Sequence, residues 1–185
     1  MVGNAVPVAS GSDLLARAAA GEVEAARELL AEVGAVLYGF VFARVGGNAT
    51  AAEDLSQETL LEACRSAHTY RGDASLSTWM CAIARNRIAR YYEKERRQEV
   101  ARAGLTVVSD DEPGDRDFAD FEDRDEVIRA LGRLSVSHRQ VLVLKYLDGL
   151  SVAEIGEQLG RSTVQVQSLL QRARGALRRE IDGQS

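Results

Sequence analysis

The sequence predicts an all-α protein in which two small helical domains are joined by a flexible acidic linker. Aromatic residues are only 5% of the 185 residues, and the abundance of Ala, Leu, Val and Arg favours helices over sheets. Apolar residues recur at helical spacing along most of the chain. Ten acidic and two basic side chains crowd into residues 103–126, which is typical of a linker. It would separate a first domain at 13–102, preceded by a disordered arm at 1–12, from a second at 127–185.

The first domain is expected to begin with two helices. Apolar spacing predicts one over about residues 13–32, with Gly21 as an interruption, and another over about 35–45 that ends at a Gly-Gly-Asn stop signal. The expected buried side of the first helix comprises Leu14, Leu15, Ala18, Ala25, Ala26, Leu29 and Leu30.

A third helix, expected over about residues 51–67, has two distinct faces. Its core stripe comprises Ala52, Leu55, Thr59, Leu60, Ala63 and Ala67. The other side carries Asp54, Gln57, Glu58 and Leu61. A leucine among carboxylates on an exposed face suits docking onto a protein partner that supplies basic side chains. A solvated face with one stray leucine explains these residues equally well.

The next segment, residues 66–79, places aromatic and basic groups on a loop. Gly72-Asp73 marks this loop, and either Ser75 or Ser77 is expected to cap the helix that follows. The aromatic and basic groups are His68, Tyr70, Arg71 and, at the helix start, Trp79. Such a combination fits stacking against unpaired bases and contacts with phosphates.

The helix expected over about residues 78–99 is basic and amphipathic. Its cationic residues are Arg85, Arg87, Arg90, Lys94, Arg96 and Arg97, and its apolar stripe is Met80, Ile83, Ala84, Ile88 and Tyr91. A nucleic-acid-binding surface is the favoured interpretation. A membrane-surface helix is the alternative, although the apolar face is short and rich in alanine.

Two capping boxes define the second domain. After helices expected over residues 125–134 and 136–147, Ser151-x-x-Glu154 and Ser162-x-x-Gln165 each open a short apolar-periodic segment. Gly160 suits the residue that ends the first of these helices and turns the chain. Two helices across a tight glycine-containing turn predict a helix-turn-helix, whose second helix can lie in a DNA major groove.

The second helix of this motif has a core side and a polar side. Helical spacing assigns the core side to Val166, Leu170, Ala173 and Leu177. The opposite side carries Gln165, Gln167, Ser168, Leu169, Gln171, Arg172 and Arg174. Amides and arginines there suit contacts with base edges and phosphates. The alternative is an ordinary helical hairpin with a solvated polar face.

Several classes of protein are disfavoured. No apolar run approaches the roughly 18 residues that span a bilayer, and the N-terminal segment does not match a signal peptide, so a cytoplasmic protein is expected. Cys64 and Cys81 are predicted to be buried thiols, with a disulfide or redox switch as the alternative. His68 and His138 are isolated, and no P-loop, nucleophile–base pairing or metal-spaced cluster occurs in the sequence. No enzymatic activity, metal or cofactor is therefore expected.

Four stretches of the chain match the motifs of one family. AAEDLSQETLLEAC resembles AEDLxQETFLxAW, and YRGDASLSTWMCAIARNRIARYY resembles FRGxASLxTWLxxIARNxxxDxxR. LSVSHRQVLVLKYLDGLSVAEIGEQLGRS resembles LPxxxRxVxxLxxxxGLSxxEIAxxLGxS, and LLQRARGALR resembles RLxRARxxLR. In this order, around an acidic linker, the four matches are strongly specific. They resemble the extracytoplasmic-function (ECF, group IV) sigma factors of the sigma-70 family over about residues 13–180.

The resemblance implies a sigma-2 helical bundle in the first domain and a sigma-4 helix-turn-helix in the second. Core RNA polymerase, at the clamp helices of its β′ subunit, would be bound by Asp54, Gln57, Glu58 and Leu61. The melted minus-ten element would be bound by Tyr70, Arg71, Asp73 and Ser75, with Arg85, Asn86 and Arg87 near upstream promoter DNA and Trp79 supporting the loop. The minus-35 element would be read by Ser162, Gln165, Gln167, Ser168, Leu169, Arg172 and Arg174.

Some residues depart from the family pattern. The family's GTVKSRL corresponds to VQVQSLL at 164–170, so that Gln167 replaces a lysine and Leu169 an arginine on the expected groove-facing side. Loss of two cations should lower the salt slope of DNA binding by about one to two units. Gln165 and Gln167 are expected to read adenine edges instead, and Leu169 to touch a thymine methyl. The other departures are Arg90 in place of Asp and Ser135 in place of Pro.

The favoured hypothesis is an alternative sigma factor, a non-enzymatic protein that binds core RNA polymerase (its β′ and β subunits) and directs promoter recognition, DNA melting and transcription initiation. A conventional helix-turn-helix regulator would need neither the acidic helix face nor the aromatic loop. A third hypothesis is a sigma-like protein that binds polymerase but has lost minus-35 reading. The resemblance also implies promoter DNA and an anti-sigma protein as partners.

Overall fold

The computed structural model describes residues 11–103 and 124–183, which form α-helices joined by short turns. The helices are Gly11–Ala19 (α1), Val23–Arg44 (α2), Ala49–Arg65 (α3), Leu76–Ala103 (α4), Arg124–Arg133 (α5), Val136–Leu142 (α6), Val152–Leu159 (α7) and Thr163–Asp182 (α8). A 3₁₀ turn follows α3 at Ala67–Thr69, and a π-helical turn continues α6 at Val143–Leu147. No strand occurs within the two described ranges, and the predicted all-α fold is confirmed.

Several helix bounds differ from the sequence prediction. The interruption at Gly21 is confirmed, because this residue adopts a φ of +91° between α1 and α2. The expected break between about residues 32 and 35 is wrong, since α2 runs through this stretch without interruption. Gly34 lies in this stretch. The helix tolerates it because neighbouring residues are well packed: Val33 and Leu37 are both fully buried.

The predicted arm and linker lie mostly outside the described residues. The arm's last two residues, Gly11 and Ser12, are nevertheless helical and begin α1. At the other end, the linker was bounded at residue 126, but Arg124 to Glu126 form the first turn of α5, in agreement with the helix expected from residue 125. Acidic residues suit a first helical turn because they face the positive end of the helix dipole.

The described residues divide into two compact units, residues 11–42 with 49–88, and residues 43–48 with 89–103 and 124–183. The first unit encloses a small apolar core. Its fully or nearly buried members are Leu14, Leu15, Ala25, Leu29, Val33, Ala63, Leu76 and Met80. Leu30 was expected on this buried side, but it is 52% exposed, whereas Leu29 and Val33 on the same helix are buried.

The second unit has its own core, in which α8 is covered by α5, α6 and α7. The core comprises Ala130, Leu131, Leu134, Val141, Leu142, Leu144, Ile155, Val166, Leu169, Leu170, Ala173, Leu177 and Ile181. The four residues predicted to form the core side of α8 are all among them. Helical periodicity alone therefore identified these four buried positions of α8.

Arg44 and Tyr92 are buried in the second unit, and both form hydrogen bonds within it. Arg44 donates from Nε to Asp148 Oδ1 over 3.0 Å and from a terminal nitrogen to the Leu147 carbonyl over 2.9 Å. Tyr92 donates its hydroxyl to the Arg44 carbonyl oxygen, and burial raises the pKa of this phenol well above its ordinary value. These bonds offset the cost of removing a guanidinium and a carboxylate from water.

Candidate protein and nucleic-acid interfaces

Helix α3 presents one buried face and one exposed face, as predicted. Asp54, Gln57, Glu58 and Leu61 recur at spacings of three and four residues, so they lie along one side of the helix, and all are exposed. Leu61 is 59% exposed although it is a large apolar side chain. The opposite side is buried, and Thr59 satisfies its hydroxyl by donating to the Leu55 carbonyl over 2.6 Å. The exposed side is called the α3 face below.

Arg87 of α4 contacts two carboxylates of α3. Its two terminal nitrogens donate to Glu58 Oε2 over 3.2 Å and to Glu62 Oε2 over 3.0 Å. The sequence predicted a DNA contact for Arg87 and did not identify Glu62. Because the partners lie 29 and 25 residues before Arg87, no local spacing in the sequence indicates this contact.

The loop between α3 and α4 folds around Tyr70. The Tyr70 hydroxyl donates to the Ala74 carbonyl over 2.8 Å, and its ring packs against Trp79 with centroids 5.2 Å apart. Both rings are half-buried and pack against the core of the first unit. Gly72 permits the turn because it adopts a φ of +79°, a region that side chains disfavour.

The remaining predicted residues of this loop are exposed. Arg71 and Asp73 follow Tyr70 in this loop, and both are exposed to solvent. Ser75 caps α4, because its hydroxyl accepts from the Thr78 backbone nitrogen over 3.2 Å, and α4 therefore starts at Leu76 rather than at the predicted Thr78. Ser75 thus has a local structural role in addition to any contact with DNA.

Arg85 and Asn86 are also exposed, on the first half of α4. The Arg85 guanidinium lies over the Phe40 ring, 5.3 Å from its centroid. Such a contact holds the side chain while its charge stays in solvent. Phe40 was not singled out from the sequence.

Both predicted capping boxes are present in the helix-turn-helix. Ser151 and Glu154 bond reciprocally at the start of α7, and Ser162 and Gln165 do so at the start of α8. Hydrogen bonds with Ser151 hold the pKa of Glu154 below its ordinary value. Gly160 ends α7 with a φ of +64°, the left-handed conformation predicted for it.

The exposed side of α8 is narrower than predicted. Gln165, Gln167, Ser168 and Arg172 are exposed on it, and Ser162 is exposed at its cap. Leu169 was expected to face the groove, but this prediction is wrong, because the residue is 4% exposed and belongs to the core. Three helices cover α8, which widens its buried arc beyond the four predicted positions. Arg174 is half-buried.

Two residues at the start of α8 extend this exposed side. Thr163 is exposed, and Val164 is 71% exposed, the largest fraction among the exposed large hydrophobic residues of the described chain. Sequence reasoning passed over both. The sequence nevertheless indicates that Val164 is exposed, because residues two positions apart on a helix point in directions about 200° apart. Once Val166 is assigned to the core, Val164 must face away from it.

Features of other protein classes are not found in the described ranges. No helix there is long and apolar enough to cross a membrane, and no three His, Cys, Asp or Glu side chains are grouped to hold a metal ion. Cys64 and Cys81 form no disulfide and are half-buried rather than fully buried. Burial raises the pKa of the Cys64 thiol, which makes it less reactive.

Two family models match this chain in the order of its units. The model of sigma-70 region 2 matches residues 29–98, and that of sigma-70 region 4 matches residues 124–177. The ECF RNA polymerase sigma factor SigL of Mycobacterium tuberculosis is 36% identical over 87% of this chain and 91% of its own length. The chain belongs to the ECF sigma factors.

One further relative of this ECF sigma factor and one solved structure are similar to most of the chain. The ECF RNA polymerase sigma factor BldN of Streptomyces coelicolor is 33% identical over 87% of this chain, and the match spans only 62% of BldN. A solved RsbN–BldN complex covers 90% of this chain and 99% of the matched chain, with 30% identity and a TM-score of 0.36.

Proposed function

We propose that this ECF sigma factor binds core RNA polymerase through the α3 face and directs it to promoters. The loop at residues 70–75, with Arg85 and Asn86, would bind the melted minus-ten element, and the exposed side of α8 would read the minus-35 element. Arg174, which is half-buried, was also predicted to contact the minus-35 element and stays a prediction. The protein would act in the cytoplasm, by binding and not by catalysis.

The observation that carries this proposal is the α3 face. Leu61 is 59% exposed on the same side of α3 as the exposed carboxylates of Asp54 and Glu58, a combination that suits docking onto a protein partner. A regulator that binds only duplex DNA has no use for such a face. Polymerase subunits that offer basic side chains around an apolar pocket would complement it.

The free energy of binding unpaired bases at the loop would drive DNA melting. Tyr70 and Trp79 already form a packed aromatic pair, so the loop needs little reorganisation to receive an unpaired base. Exposed Arg71 can contact the phosphates of the extruded strand, and Asp73 and Ser75 offer acceptors for the edge of a base. Each extruded base held here lowers the free energy of the open strand relative to the duplex.

The exposed side chains of α8 can still recognise a minus-35 element. Because Leu169 is buried, only Gln167 replaces a family cation on the exposed side, and the hypothesis that minus-35 reading has been lost is weakened. Gln167 is a better candidate than Gln165 for adenine. The Gln165 Oε1 accepts from the Ser162 backbone nitrogen over 2.8 Å, whereas bidentate adenine reading requires both atoms of the amide.

The variant Gln167→Lys tests whether position 167 on the exposed side of α8 faces DNA phosphates. The variant is expected to raise the salt slope of duplex binding by about one unit, because one further phosphate would be neutralised. Stability should not change, since the residue is exposed. Binding of random-sequence duplex DNA would be measured by fluorescence anisotropy over a salt series. Ala31→Lys, which adds the same charge to exposed α2, is the control and should leave the slope unchanged.

Direct titration of labelled protein with bacterial core RNA polymerase tests the proposed function. A saturable complex is expected, and Asp54→Ala should weaken it without affecting the helix-turn-helix. Failure of the intact protein to bind core would reject the proposal. We also propose an anti-sigma protein as a partner, as membership of the ECF sigma factors implies.

A further inference from the structure

We propose that Arg87 is a positioning residue for polymerase binding, which holds Glu58 on the α3 face and does not itself contact promoter DNA. This inference rests on the proposed function of the α3 face. It reassigns a residue that the sequence placed near upstream promoter DNA.

The geometry of Arg87 supports this role. Its guanidinium bridges carboxylates one helical turn apart, with distances of 3.2 Å to Glu58 and 3.0 Å to Glu62. The Arg87 side chain is only 22% exposed, whereas Glu58 is 53% exposed. The arginine is thus largely enclosed, and the carboxylate that it holds still faces solvent.

The same geometry disfavours a contact with DNA. Both terminal nitrogens of Arg87 point at carboxylates, so a phosphate approaching them would meet two negative charges. The neighbouring residues Arg85 and Asn86 are exposed, and the Arg85 guanidinium lies over the Phe40 ring. Arg85 and Asn86 are therefore exposed on α4, whereas Arg87 is bonded to carboxylates of α3.

Holding Glu58 in one orientation should strengthen polymerase binding. A free glutamate side chain samples several rotamers and loses this freedom on binding a partner. A charge-assisted bond to Arg87 removes part of that cost before the encounter. Surface ion pairs contribute little to folding stability, so the main effect of Arg87 should be on affinity.

A double-mutant cycle on the full chain tests the proposal. The variants are Arg87→Ala, Glu58→Gln and their combination, titrated with core RNA polymerase by fluorescence anisotropy. Arg87→Ala is expected to weaken core affinity about three- to tenfold, and the double variant should bind no worse than Glu58→Gln alone. Arg87→Lys, which keeps the charge but cannot bridge two carboxylates as well, should fall in between.

Arg27→Ala is the matched control. Arg27 also pairs with an exposed glutamate, Glu24, at 2.6 Å, but both residues belong to α2 and not to the α3 face. The Arg27→Ala variant should bind core RNA polymerase as tightly as the unchanged protein. Circular dichroism melts would verify that all variants are folded.

A role in DNA binding would give a different pattern. The inference is overturned if Arg87→Ala leaves core affinity unchanged, if the two substitutions are additive, or if the salt slope on random-sequence duplex DNA falls by about one unit. Leu61→Asp separates this failure from failure of the proposed function. If Leu61→Asp still abolishes core binding, only the role of Arg87 is lost; if it has no effect, the α3 face itself is not the polymerase site.

Discussion

Replacing Leu169 with arginine, the residue common in the family, is expected to destabilise the helix-turn-helix by about 3 kcal/mol or more instead of improving DNA binding. Leu169 is 4% exposed and packs in the core around α8. A guanidinium at this position would be removed from water without a partner, and it would also displace neighbouring side chains. Chemical denaturation followed by circular dichroism measures the loss.

Position 167, two residues before Leu169 on the same helix, supplies the control for this prediction. Gln167→Lys adds a cation to the same helix at an exposed site, so its unfolding midpoint should match that of the unchanged protein. If Leu169→Arg instead leaves the midpoint unchanged and tightens duplex binding, then Leu169 faces the groove, and the packing of α8 described here is wrong.

Replacing Leu61 with aspartate should weaken binding to core polymerase about 100-fold, equivalent to about 3 kcal/mol, with no loss of folding stability. The residue is 59% exposed in the isolated protein, so the substitution costs little in the fold. In a complex, the new carboxylate would be buried in an apolar pocket among carboxylates that already face the partner. Titration of labelled protein with core polymerase measures the effect.

Leu30→Asp is a matched control for Leu61→Asp. Leu30 is 52% exposed on α2, so it is a comparable apolar residue outside the α3 face. Its variant should bind core as tightly as the unchanged protein. Equal losses from both substitutions would mean that general surface hydrophobicity, and not the α3 face, drives the association.

The helix-turn-helix was predictable in detail because its signals are local. Each capping box lies within four residues, and the turn requires a left-handed residue that the sequence supplies as Gly160. The core side of α8 followed from periodicity alone. The α3 face was predictable for the same reason, since helical spacing separates its polar residues from the buried stripe.

The errors arose where tertiary packing decides the outcome. Leu169 and Leu30 each stand next to another leucine, and spacing cannot tell how wide an arc the surrounding helices cover. Three helices cover α8, and Leu169 is buried; in α2, Leu30 remains exposed. Arg87 depends on carboxylates that only the packing of α3 against α4 brings near it.

The most direct test of the central claim is transcription by bacterial core polymerase with the purified protein, on a promoter library randomised at both the minus-ten and the minus-35 elements. We expect specific transcripts that depend on the protein and share sequence at both elements, with Gln167 and Val164 influencing the minus-35 preference. Transcripts that share only a minus-ten element would contradict the proposed role of α8. Absence of any protein-dependent transcript, together with no binding to core, would contradict promoter direction by this chain altogether.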